Sequence, residues 1–153
     1  LALKHGDIMA ITTSVICNSF KKELFEGTHN FKQTGGNSFK LSLYTNSAVL
    51  GKSTTSFTTD AQVSNSGQYT SGGGALVNGG TSLSTNTAIV DFADRSFTGV
   101  TLTARGALIY NDTASGDPAV CVLDFGGDKT ATSGTFTIQF PAFTASAAIL
   151  RVT

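Results

Sequence analysis

From Val100 to Tyr110 and again from Ala119 to Phe125, apolar residues recur along two runs, joined by the Ser, Gly, Asp and Pro of Asn111–Pro118. Alternation places successive side chains on opposite faces of a strand. Two such runs around a turn-rich loop predict a long β-hairpin at the centre of a sheet. The hairpin also carries groups that a core strand normally avoids: Arg105, with Gly106 beside it, and Asp124 on the returning run. One parity of the first run is Val100, Leu102, Ala104, Gly106, Leu108 and Tyr110. The other sets Arg105 among Thr101, Thr103, Ala107 and Ile109. Asp91, between Val90 and Phe92, is a carboxylate in an equally apolar run. Arg105, Asp91 and Asp124 on neighbouring strands predict a partly buried ion pair or triad of the bidentate Arg–carboxylate kind, acting as a register lock. An ion pair at a subunit interface and a ligand site are the other readings of the same residues.

At 153 residues the chain suits one domain, and area scaling buries roughly two-thirds of its unfolded surface, enough for a core without disulfides or metal. Only 13% of residues are charged, with ten Lys+Arg against ten Asp+Glu. A zero net charge makes no electrostatic case for nucleic acid and favours association. Thr, Ser, Gly and Asn take the place of the charges, a composition suited to a β surface fixed in an assembly. No apolar run approaches the ~18 residues of a membrane-crossing helix. Residues 1–8 precede Met9, the only methionine, and are expected to be an upstream extension or flexible arm, with the domain running over residues 9–153.

Val15, Ile16, Phe20 and Leu24, with Phe25 more loosely, recur near helical spacing opposite Lys21, Lys22 and Glu23. This predicts a helix over residues 14–26, capped by Thr12 or Thr13 and stopped at Gly27. Phe39, Leu41 and Leu43 predict a half-buried strand. Thr45–Ser71 is Thr/Ser-rich and long for a structureless connection, so short strands are expected near Phe57–Thr59 and Ala61–Val63. Asn78-Gly79-Gly80 reads as a hairpin turn, Thr81–Leu83 and Thr87–Phe92 as strands, Gly126–Lys129 as a turn, Thr135–Phe140 as a strand and Ala147–Val152 as the last one. Short strands, one early helix and no βαβ alternation together predict a mainly β fold. Its architecture is an antiparallel β-sandwich or barrel-like, jelly-roll-like domain with one N-terminal helix.

Catalytic signatures are lacking. Gly72-Gly73-Gly74 is not followed by the Lys of a phosphate loop. Neither histidine, His5 nor His29, belongs to a recognisable triad, and there is no Gly-x-Ser-x-Gly elbow. Cys17 and Cys121 sit among apolar neighbours and read as reduced core thiols, with a disulfide between them as the alternative. No metal-ligand spacing accompanies them, and no cofactor is implied. Asn111, Asp112, Ser115 and Asp117, at the hairpin tip, form the expected partner-contact loop. Asn111-Asp112-Thr113 is also a formal glycosylation triplet.

Several stretches carry a family resemblance: Phe20-Lys21-Lys22-Glu23-Leu24, His29-Asn30-Phe31, Phe39 to Thr45, Gly67 to Gly73, Ala104 to Asn111, Val122 to Gly126, and Phe136 to Pro141. The pattern resembles small virion-associated proteins of tailed bacteriophages, common in marine phage genomes, and it covers nearly all of the chain from Met9 onward. The resemblance implies a non-enzymatic structural component of the virion, either a capsid decoration (cement) or a tail-associated subunit. It implies other virion proteins as partners and a homo-oligomer, a trimer among the options. A tail module recognising a host surface glycan or protein is the alternative. No functional residue is carried over from the family.

Overall fold

The computed structural model describes residues 11–153; the expected extension over residues 1–8, with His5, lies outside the described residues, as does Met9. The elements in order are β1 (Val15–Ile16), α1 (Asn18–Phe25), β2 (Phe39–Tyr44), β3 (Gly74–Ala75), β4 (Asn78–Ser84), β5 (Thr87–Phe92), β6 (Arg95–Asn111), β7 (Ala119–Ile138) and β8 (Leu150–Val152). Strand takes 48% of the chain and helix 6%, so the mainly β expectation holds. The strands form a five-stranded sheet, β1-β7-β6-β2-β3, and a three-stranded sheet, β4-β5-β8. Every pairing is antiparallel.

The expected hairpin is present and longer than its apolar alternation suggests, since β6 and β7 pair from Tyr110↔Ala119 down to Arg95↔Ile138. Gly126–Lys129 is therefore not a turn. The pairs Gly106↔Asp124 and Ala104↔Lys129 set Arg105 alone against Phe125–Asp128, which form a bulge within a continuing strand. Gly126 takes φ +74° there, and its N–H donates to Oδ1 of Asp124 at 2.8 Å. A second bulge inserts Thr132 and Ser133 between the pairs Val100↔Gly134 and Leu102↔Ala131. The hydroxyls of Ser96 and Thr137 meet at 2.8 Å, as do those of Thr103 and Thr130. Much of the threonine in this ribbon thus serves cross-strand pairing on an exposed face.

The helix is shorter than expected. Val15 and Ile16 pair with Val122 and Cys121, and the Cys17 N–H donates to the Val120 carbonyl at 3.0 Å. Two β-branched residues beside the open edge of β7 gain more from a ladder than from an uncapped first turn. Cys17 becomes the N-cap residue in extended conformation, without a side-chain capping bond. Asn78-Gly79-Gly80 likewise opens β4, with a bulge, rather than turning the chain. The turn falls at Thr85-Asn86. The last strand covers only Leu150–Val152.

The two sheets meet through aromatic packing. The Phe31 and Phe39 rings stack at 4.4 Å with 5° between planes, and Phe39 lies 5.7 Å from Phe92 of the small sheet. Each such buried Phe is worth roughly 1.5–3 kcal/mol. The long Thr/Ser-rich segment forms only isolated bridges, at Ser56, Gln62 and Ser66–Tyr69, not strands. Three tyrosine hydroxyls hold it down. Tyr44 donates to the Thr58 carbonyl at 2.6 Å, Tyr110 donates to the Gly72 carbonyl at 2.6 Å, and Tyr69 accepts from the Leu43 N–H at 2.8 Å.

Candidate interaction surface

The structure brings together part of the proposed lock. Arg105 Nη1 lies 3.1 Å from Asp124 Oδ1, with the two side chains 18% and 14% exposed. The N–H bonds of Nη1 do not point at that oxygen, and Nη1 has no hydrogen-bond partner among the described residues. The contact is an ion pair without the bidentate geometry expected. Asp91 does not join it: it lies in β5 of the other sheet, opposite Gly80, and forms no ion pair among the described residues. The alternation around Asp91 and Asp124 is alike, but a sandwich can seat similar strands in different layers.

The hairpin loop divides in two. Asn111 is fully buried and is not a contact residue. Its Oδ1 accepts from the N–H groups of Thr113 and Ala114 at 3.0 and 3.2 Å. That fixes Nδ2 on the other side, where Asn37 Oδ1, His29 Nδ1 and the Thr28 carbonyl lie within 3.0–3.2 Å. With Nδ1 of His29 accepting, its ring proton is assigned to Nε2 and donated to Glu23 Oε2 at 2.7 Å. Both ring nitrogens are occupied, and the imidazole side chain is fully enclosed. The cluster ties the end of α1 to β2 and β6 and leaves no nitrogen free for a substrate. The Asn111 amide is equally closed to glycosylation in the folded state. Asp112 is exposed and pairs with Lys40 at 2.9 Å. Ser115 is exposed, while Asp117 is half-buried with φ +47°.

Both cysteines are buried and free. Burial, with a smaller contribution from the Glu23 charge, pushes the Cys17 thiol up to about 11. Burial raises Cys121 as well. These are packing groups, not nucleophiles. Burial likewise pushes Tyr44 up to about 12, against the opposing effect of its hydrogen bonds. Among the described residues, no group of three or more His, Cys, Asp or Glu side chains is placed to hold a metal ion.

The feature that the apolar pattern did not single out is a half-covered sheet. Residues 88, 90 and 92 of β5 share one face. At the core end Phe92 is buried against Phe39. The next row is Thr81–Val90–Leu150, and the last is Leu83–Ala88–Val152. In that last row the cover ends, and Leu83 and Val152 are 72% and 60% exposed. Between this row and α1 lies a groove of about 390 Å³ whose apolar walls include Ile16, Phe20, Leu24 and Leu150. Two charged residues border it among the described residues, Lys21 and Arg151, but Arg151, opposite Ile89, gives its guanidinium to the Ala145 and Ser146 carbonyls. Phe25 follows Lys21 by four residues, so it continues the same helical strip, and it is 97% exposed. Among the described residues, the exposed Val152 thus lines the groove, Leu83 adjoins it across the row from Ala88, and Phe25 sits one turn beyond Lys21. The signals were faint: Thr81 and Leu83 share a strand parity, and Phe25 sat loosely on the helical stripe.

No protein-family model, curated protein or solved structure matches the chain.

Proposed function

We propose that this chain is a non-enzymatic structural subunit of a multi-copy assembly, and that the assembly is the virion of a tailed bacteriophage, in which it acts as a capsid decoration or tail-associated protein. The observation that carries the assembly role is the exposed end of the small sheet, where Val152 lines an apolar groove, Leu83 adjoins it beside Ala88, and the exposed Phe25 follows Lys21 of its wall by one helical turn. A monomer gains nothing by leaving such residues in water, and contiguous exposed apolar surface marks an interaction site. The near absence of net charge and the sparse charged residues favour a protein that ends up docked. The virion setting is supported by the family resemblance of its sequence pattern. The enclosed His29 supports the non-enzymatic reading.

The test is to purify particles from a lysate of infected cells and quantify this chain by mass spectrometry against the major capsid protein. The expected result is stoichiometric recovery with intact particles. A chain abundant in the lysate but absent from gradient-purified particles would refute the virion role.

A further inference from the structure

We infer that the groove between α1 and the small sheet is filled by Phe25 of a second copy of this chain, in a reciprocal two-fold pairing. The inference rests on the assembly reading and names the partner for its surface. The surface holds both halves of a contact. Phe25 is a knob at the end of α1, almost wholly exposed. The groove beside it is lined by Lys21, one turn earlier on the same helix. An isologous contact requires knob and hole on the same patch, so that each copy gives what the other receives. A two-fold axis passing beside the midpoint of residues 21–25 sets two α1 helices antiparallel, with Phe25 of each over Lys21 of the other. The groove, at about 390 Å³, exceeds the ~150 Å³ that holds a benzene ring in an apolar cavity. The remainder takes neighbouring apolar atoms.

Charge favours the same occupant. Among the described residues, the lining of the groove includes the Lys21 side chain and no carboxylate; Arg151 borders it too, but its guanidinium donates to the Ala145 and Ser146 carbonyls at 3.2 and 2.7 Å. The residue after Phe25 is Glu26, exposed and, among the described residues, paired only on its own helix, with Lys22 at 2.8 Å. Exposed pairs of this kind are weak and re-partner at little cost. Seating Phe25 in the groove of a second copy carries Glu26 toward that copy's Lys21. Complementary rims of this kind fix orientation more than they add affinity. The self-pairing therefore predicts a definite arrangement, not a general stickiness.

The test is light scattering and sedimentation across the micromolar range on the full chain. Wild type is expected at twice the chain mass. Phe25→Asp and, independently, Leu83→Asp are expected to sediment as folded monomers, since both side chains lie outside the core. Lys21→Glu is expected to weaken pairing about ten-fold, and adding Glu26→Lys to restore it to within about three-fold, the signature of a direct contact. A wild type that stays monomeric, or a dimer indifferent to both Phe25→Asp and Leu83→Asp, overturns the inference. A monomer in solution that is nonetheless recovered in purified particles overturns the self-pairing and leaves the assembly reading standing. Paired copies absent from particles do the reverse.

Discussion

Among single residues, Asn111 contributes more to the fold than Arg105. The Asn111 amide satisfies groups in three otherwise separate segments, and all of it is buried. Truncation leaves several of those groups without partners, at ~1–3 kcal/mol each. Asn111→Ala is therefore expected to cost on the order of 4 kcal/mol in urea denaturation. Arg105→Ala leaves Asp124 its bond from the Gly126 N–H and removes an ion pair of imperfect geometry, so a loss of about 2 kcal/mol is expected. Equal losses in the two variants would contradict this ranking. The ranking could not be read from the chain. An Asn at the end of an apolar run, followed by Asp-Thr-Ala-Ser-Gly, has every mark of an exposed turn. Its burial depends on Thr28, His29 and Asn37, more than seventy residues away. Arg105, by contrast, announced itself by breaking an apolar alternation, and its partner Asp124 lies opposite the neighbouring Gly106, on the returning strand of a hairpin the pattern already implied.

The elements read correctly were those whose alternation is local. β2 and β5 follow from period two over their whole length, and of β4, β6 and β7 the stretches Thr81–Leu83, Val100–Tyr110 and Ala119–Phe125 do. What failed was punctuation. Gly126-Gly127 and Asn78-Gly79-Gly80 have turn chemistry but serve as bulges, because glycine permits both and only the register across the sheet decides between them. The helix start failed for a similar reason, since the strand that claims Val15 and Ile16 is formed by distant residues. Close approach of strands gives a direct test. A Cβ on Gly106 would run into the Leu123 carbonyl and come within 2.8 Å of Ile11 Cδ1, whereas one on Gly127 meets nothing within 4 Å. Gly106→Ala is expected to destabilise by about 2–3 kcal/mol and Gly127→Ala by about 0.5 kcal/mol or less, as measured by paired thermal melts. Comparable melting temperatures for the two variants would show that the strands separate there freely.

For the whole molecule, stability is expected to fall in alkali. Unfolded, the Cys17 thiol ionises at its ordinary 9.0; folded, burial holds the proton until about 11. Above pH 9 the unfolded chain therefore binds fewer protons than the native one, so stability declines as pH rises through this window and is flat below it. Tyr44, raised from 10.0 to about 12, extends the decline. Urea midpoints between pH 8 and pH 11 are expected to drop in wild type and to drop less steeply in Cys17→Ala; parallel curves for the two proteins would count against the assignment. The same thiol has a second consequence through the order of synthesis. Cys17 is enclosed by a strand pairing whose other half, Val120–Val122, lies more than a hundred residues later. At about 5–20 residues per second, a ribosome delivers that partner several seconds after the cysteine has emerged. Through that interval Cys17 is an ordinary solvated thiol, open to any electrophile in the cell. A group attached then would have to be accommodated in the closed core, so modification of the nascent chain blocks maturation where the same reagent leaves the finished protein untouched.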